Sequence, residues 1–414
     1  MYSFVLKCAQ FEPLIEFARL IERMDKSLFA ARKVAIKLQN TAMYLTVFSD
    51  LNDDDNPSKQ LSFSVQTDCD FGQDATHAFV LGLKQLIDIL SRPEHLLKFA
   101  ISDFELVELS HQEYKAELFI LNLATNQGAD LQLAEIPSSR YEFMLNGQLD
   151  FKIASIFIDK SMFSVLKSFK GFVASHGINR AEFERINICA LEDGKLQLTS
   201  SNAVIMKRQT VPCKFDICQT QNQADGYTYD YTKGLNMNLE IFLALAKMFG
   251  GSFHLIFNLH YTILSDGKIE IRFSNGHLFE SQIAAPDFDG ILNKFPTSKC
   301  DFKLTNEQFK EIACINIVNP TQNQMLYFEL NEQDGQFVVK GLDEHFKPAV
   351  TIEYNLGVSY NFNAGILLRE LMQAYKAVKS ANENICITIT DLKMMQLKTS
   401  HATVVTALRM MGKR

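Results

Sequence analysis

One helical signal returns through this chain at almost constant spacing. Phe11, Leu14, Ile15, Ala18 and Ile21 recur at three- and four-residue intervals, as do Met162, Val165, Leu166 and Phe169, and again Phe309, Ile312 and Ala313. Such spacing lines apolar side chains along one side of a helix. With Leu14, Val165 and Ile312 taken as equivalent, the steps between copies are 151 and 147 residues. Each of these helices follows a strand-like stretch: Phe4 to Cys8, Ile153 to Ile158, and Phe302 with Leu304. Near-equal steps predict three copies of one domain.

A second helix is expected later in each copy. Leu83, Leu86, Ile87 and Leu90 carry the first, stopped by Pro93. Leu239, Phe242, Leu243 and Ala246 carry the next, capped by Asn238 and ended by Gly250-Gly251. In the last copy, Asn363 is expected to cap a helix along Ala364, Leu367, Leu368, Leu371, Tyr375 and Val378. Alternating strands follow each one, for example Ile385, Ile387 and Ile389 against Cys386, Thr388 and Thr390, the period of a half-buried strand. Asp-Gly pairs at 193, 266 and 334 predict hairpin turns. Thr305 with Gln308 forms a capping-box signature. The predicted class is α+β, each domain having two helices packed on antiparallel sheets, with boundaries at 1–146, 147–297 and 298–414. The polar loops from Leu51 and from Gln219 to Gly226 are expected to be solvated excursions.

Composition narrows the function. Hydrophobic residues make up 47% of the 414, enough for real cores. No apolar run approaches a membrane span, and the start, Met1-Tyr2-Ser3-Phe4-Val5-Leu6-Lys7, lacks the pattern of a signal peptide. A cytoplasmic location is expected. The eight cysteines include no CxxC pair, which suits free thiols in a reducing compartment. A net charge of −7 should repel nucleic acid, unless basic residues gather in one place. There is no P-loop, GxGxxG or HExxH motif, and no cofactor is expected. His254 and His260 share one strand face by spacing, but no third ligand is evident; packed or surface histidines are the simpler reading. Asp53-Asp54-Asp55 reads as a solvated hairpin tip.

Three stretches carry a resemblance. They are Gly194-Lys-Leu-Gln-Leu-Thr-Ser-Ser-Asn-Ala-Val-Ile-Met206, Ala285-Pro286-Asp287-Phe288 with Ile291-Leu292, and Val404-Val405-Thr406-Ala407-Leu408-Arg409-Met410. With the threefold repeat, they resemble the bacterial replicase sliding clamp, DNA polymerase III subunit beta, in order along the whole chain. Departures are visible: the family's Gly-His-Arg-Leu is Ala203-Val204-Ile205-Met206 here, its terminal proline is Ala407, and Met411 to Arg414 run past the usual end. The chain is similar to a divergent member.

The resemblance implies a homodimeric ring whose helices face duplex DNA. Phosphates attract lysine and arginine without regard to sequence, as a sliding protein requires. Residues offered for that role are Arg19, Arg23 and Lys26, then Lys160, Lys167 and Lys170, then Arg369, Lys376 and Lys379, with Arg180 on a loop matching by position. Taken singly, each is also an ordinary solvated helix residue, and Glu12, Glu16 and Glu22 dilute the first set. A pocket between domains two and three is implied for short hydrophobic peptides of polymerase and clamp loader. Its lining would be Ser201, Ala203, Val204, Ile205, Met206, Pro286, Ile291, Val405, Leu408 and Met410, though ordinary core is the competing reading. For the ring interface the resemblance points to Leu118 and Ile120 meeting Ile312, Cys314 and Ile315, with plain sheet core as the alternative.

The expected function is therefore a non-catalytic clamp that confers processivity on a polymerase. Two alternatives stand beside it. One is a scaffold or antagonist of the same fold that never encircles DNA; the other is a hydrolase or nuclease with an unassembled metal site.

Overall fold

The structure is a computed structural model. It describes residues 2–6, 11–24, 32–39, 42–48, 61–68, 77–90, 97–101, 107–108, 117–118, 122–124, 134–135, 152–174, 181–191, 193–217, 235–258, 261–274, 287–293, 298–318, 325–331, 333–342, 348–357, 361–390 and 394–409. Among the described residues the α-helices are α1 (Glu12–Met24), α2 (Leu83–Leu90), α3 (Lys160–Lys167), α4 (Leu239–Leu245), α5 (Phe288–Leu292), α6 (Asn306–Val318) and α7 (Leu368–Val378). All six predicted helices are present, two per expected copy; α5 is an additional one.

The chain packs as two compact units. The first comprises Met1–Lys160, Lys214–Asn222 and Ile241–Glu280; the second comprises Ser161–Cys213, Gln223–Glu240 and Ser281–Arg414. The middle stretch of sequence thus contributes to both. In the first unit, a ten-stranded sheet runs in the order Ala134–Glu135, His77–Gly82, Lys33–Gln39, Ala42–Phe48, Leu61–Asp68, Ile269–Ser274, Tyr261–Ser265, Phe253–Asn258, Lys152–Ile158, Phe215–Ile217. Ile269 pairs with Val65 and Phe273 with Leu61, so strands far apart in sequence close one ladder. Phe11 just before α1, and Leu14, Phe17, Ala18 and Ile21 on it, are buried, and the Phe17 ring stacks on Phe63 at 4.5 Å. Four of the five residues predicted from spacing are buried; Ile15 is half-buried, and Phe17 takes its place in the stripe.

In the second unit, an eight-stranded sheet runs Leu235–Asn238, Arg185–Ala190, Lys195–Ser201, Ile205–Pro212, Ala402–Ala407, Met394–Lys398, Ile385–Thr390, Ser298–Leu304. A four-stranded sheet runs Pro348–Asn355, Gln336–Leu342, Met325–Asn331, Phe362–Leu367. Between them, α6 and α7 bury Phe309, Ile312, Ile315, Leu368, Leu371, Ala374, Tyr375 and Val378 in one core. Phe309 stacks on Tyr375 at 4.7 Å. The capping box on α6 is formed: the Thr305 amide donates to Gln308 Oε1 at 2.7 Å, and the Gln308 amide donates to Thr305 Oγ1 at 3.2 Å. Two amides that helix geometry leaves unpaired are satisfied, worth about 1 kcal/mol.

The expectation for α7 needs correction. Asn363 does not cap it, because Phe362–Leu367 is a strand, with Asn363 opposite Glu329 and Leu367 opposite Met325. The helix begins at Leu368 after an extended Leu367 that supplies no side-chain cap. Helical spacing extends back to Ala364, but a ladder with Met325–Asn331 satisfies those backbone groups at long range, and the ladder wins. The three Asp-Gly turns do hold left-handed glycines, at φ 75° (Gly194), 90° (Gly267) and 64° (Gly335).

Candidate peptide pocket and basic helix faces

The strand Ile205–Pro212 decides where the pocket residues go. It pairs Met206 with Ser201 on one side and with Val405 on the other. Alternation then sends Met206 and Arg208 to one face and Ile205 and Lys207 to the other. On the first face, Met206, Phe288 and Val405 form a buried cluster, with Ile291, Leu292 and Met394 half-buried against it. Phe288, Ile291 and Leu292 come from α5. Asp287 caps that helix, its Oδ1 accepting from the Gly290 amide at 2.7 Å. An added Cβ on Gly290 would run into the Asp287 carboxylate. Arg208 holds the same helix from the strand, its guanidinium 2.7 Å from Asp289 Oδ1; with the Asp289 side chain exposed, such a pair contributes under about 1 kcal/mol.

Of the ten pocket expectations, Met206, Ile291 and Val405 meet in this cluster. Ile205 and Leu408 do not: both are buried in the large core on the α6 and α7 side. For Ile205 the reason is period two, since neighbours on one strand cannot share a face. Ser201 is buried, and its Oγ accepts from the Ala203 amide at 3.1 Å. Pro286 and Met410 lie outside the described residues. Val204 is 45% exposed, the one large apolar side chain so exposed among the described residues. Beside it, Ala203 has φ 73°, the one described non-glycine residue with positive φ. Asn202 holds this turn: its Oδ1 accepts from the amides of Val204 at 3.1 Å and Ile205 at 3.0 Å.

Lys207 is the residue that sequence reasoning missed. It is 1% exposed. Its ammonium donates to Ser168 Oγ at 2.6 Å and sits 4.1 Å from the Phe169 ring centroid and 5.7 Å from that of Phe172. Ser168 Oγ in turn donates to the Val165 carbonyl at 2.6 Å, at the end of α3. Burial away from water pushes the Lys207 pKa down to about 8. The signal was available: a lysine at an inward strand position next to Ile205 and Met206 breaks the apolar pattern.

Arg19, Arg23, Lys160, Lys167, Lys170, Arg369, Lys376 and Lys379 are all exposed, as are Glu12, Glu16 and Glu22. Lys379 lies 5.9 Å from the Tyr375 ring centroid. Lys26 and Arg180 lie outside the described residues. Of the interface expectations, Ile312 and Ile315 are each 1% exposed inside the core of their own unit, whereas Cys314 is exposed. The two isoleucines face inward with Phe309 along α6 and have no surface left for a partner. Leu118 falls in the short strand Glu117–Leu118, paired with Val107–Glu108, and Ile120 lies outside the described residues. His254 stands opposite Phe157 in the ladder, rings 5.3 Å apart and edge-on, beside a shallow cleft of about 420 Å³. His260 lies outside the described residues. Among the described residues no three His, Cys, Asp or Glu side chains group as metal ligands, and no helix is long and apolar enough to cross a membrane.

Comparison with solved structures places the whole architecture. The Helicobacter pylori beta clamp, in a complex with a DNA ligase peptide, superposes with a TM-score of 0.65 at 11% identity, covering 99% of this chain and 100% of that one. The chain has the sliding-clamp fold. DNA polymerase III subunit beta from Pseudomonas aeruginosa matches with a TM-score of 0.65 at 11% identity, again over 99% and 100%. The C. crescentus beta sliding clamp gives 0.63 at 10% over the same shares. No family model matches the sequence, and no curated protein matches it. Backbone geometry has the clamp's three-domain form while nearly nine residues in ten differ, so side chains must be argued one by one.

Proposed function

We propose that the chain is a sliding clamp: a homodimeric ring of three domains per subunit, with boundaries near 146 and 297, that encircles duplex DNA in the cytoplasm. In this reading it has no chemistry of its own and holds a polymerase in place by topology. The observation that carries the reading is the match to beta clamps over 99% of the chain. The eight exposed lysines and arginines on α1, α3, α7 and the turns after α3 and α7 support it further, because phosphate contacts of that kind bind without reading bases. The apolar cluster of Met206, Phe288 and Val405, with exposed Val204 on the adjoining hairpin, suits short hydrophobic peptides of a polymerase and a clamp loader.

The test is retention on nicked circular DNA and its loss on linearisation. Equal retention on both forms would refute encirclement and favour a groove binder. Light scattering should give about twice the chain mass; a monomer would favour a scaffold that binds replication proteins without enclosing DNA. Val204→Asp, on an exposed side chain, should lower polymerase stimulation at least ~10-fold, as expected of a peptide anchor, while mass and melting temperature stay unchanged. Stimulation that survived would remove the peptide pocket from this hairpin.

A further inference from the structure

Asn202 joins two features that the proposed function uses separately. Its Oδ1 shapes the hairpin that exposes Val204, through the Val204 and Ile205 amides. Its Nδ2 donates to the Gly171 carbonyl at 3.4 Å, in the short turn Lys170–Phe172 just after α3. Gln373 of α7 donates to the same carbonyl, and an added Cβ on Gly171 would meet Gln373 Nε2 at 2.7 Å. A primary amide can make both links at once, because it carries an acceptor and two donors. Lys207 makes a second link between the same segments, from the pocket strand to Ser168 and the Phe169 and Phe172 rings.

Lys170 is exposed and precedes Gly171 directly. The Lys170 backbone therefore leads directly into the carbonyl that Asn202 and Gln373 share. The hairpin at the other end of Asn202 is the strained one, with Ala203 at φ 73°. Strain of this kind persists only where its surroundings hold it, and here Asn202 Oδ1 supplies two of the bonds that do so.

We infer that Asn202 is a positioning residue that couples the basic turn after α3 to the Val204 hairpin, so that contact with a nucleic-acid phosphate at Lys170 resets the peptide-binding edge. The inference rests on the reading that the α3 region faces DNA. Coupling between two sites is reciprocal; a peptide on the hairpin also changes the grip of the turn on phosphate.

The experiment uses the full chain with nicked circular duplex as probe. Retention is scored first, and hydrogen exchange at the Val204 and Ile205 amides is then followed with and without the DNA. In the unaltered chain the DNA should change exchange at these amides about 5-fold or more, the lower end of ordinary coupling. Asn202→Asp keeps the acceptor for both amides and loses the donor to Gly171. Its retention should match the unaltered chain, while the response to DNA, measured against the variant's own free state, falls below about 2-fold. Asn202→Ala should instead raise exchange in the free state, the mark of a purely structural loss. Lys170→Gln, on an exposed side chain, should also lose the response while folding normally. An unaltered chain that is retained on DNA without a response at these amides, or an Asn202→Asp chain that responds in full, overturns the coupling alone. An unaltered chain that is not retained overturns the DNA reading and the coupling together.

Discussion

The strand Lys195–Ser201 ends in two turns that have nothing in common energetically. At one end, Asp193-Gly194 makes a left-handed turn with a glycine at φ 75°, and an added Cβ there would meet nothing within 4 Å. At the other end, Ala203 takes a comparable φ of 73° with a side chain in place. The conformation is free for glycine and costs other residues about 1–2 kcal/mol. Ser201 Oγ, Asn202 Oδ1 and a backbone bond from the Asn202 amide to the Ile205 carbonyl hold the second turn. The first turn only reverses the chain. The second keeps Val204 in solvent beside an apolar cluster, and the cost is borne where the candidate site is.

Substitutions can break that contrast. Asn202→Ala should be the most damaging, losing the acceptor of two amides and destabilising the chain by about 2 kcal/mol; a denaturant midpoint that did not move would mean the hairpin holds itself. Lys207→Met comes next, and it should stabilise. Among the described residues no carboxylate pairs with the buried ammonium, and a fall from 10.5 to about 8 corresponds to roughly 3 kcal/mol. Attraction to the two rings, about 1–2 kcal/mol, offsets part of this.

The pH dependence of Lys207 follows from the same shift. The folded state loses its proton near pH 8 and the unfolded state near 10.5, so the unfolded chain binds more protons between these values. The penalty is fully present below pH 8 and fades as pH rises to 10.5. Lys207→Met should remove that rise from the difference between the two melting curves. A variant less stable than the parent at pH 7 would show that the charge is needed where it lies.

Smaller effects sharpen the comparison of turns. Gly194→Ala should cost about 1 kcal/mol, since no space is lacking and only φ is strained. Ala203→Gly should gain about 0.5 kcal/mol, strain relief less the added freedom of the unfolded chain. Equal and opposite results in thermal melts would mean the surrounding bonds at Ala203 add nothing beyond the backbone preference.

Local patterns made much of the architecture legible. The stripe from Phe11 to Ile21 becomes the buried side of α1, and Thr305 with Gln308 caps α6 as read. Both depend on residues within one or two turns of each other, which spacing records. The site was less legible because its members depend on which strand lies beside which. Ile205 and Leu408 are apolar and close to Met206 and Val405 in sequence, yet they face the large core. Ile312 and Ile315 continue the apolar stripe of Phe309 in steps of three, and the stacking of Phe309 on Tyr375 across α6 and α7 shows that this stripe faces inward and leaves neither isoleucine for a partner chain.

By itself the sequence determined the threefold recurrence, the six main helices and the hairpin turns, because each is set by near neighbours through periodicity and turn chemistry. Tertiary structure alone decided that Phe362–Leu367 is a strand, that α5 stands against Met206, that Lys207 is buried under the end of α3, and that one amide at Asn202 reaches both Gly171 and the Val204 hairpin. Those outcomes depend on pairings across tens to hundreds of residues, where long-range ladders and burial override any local preference.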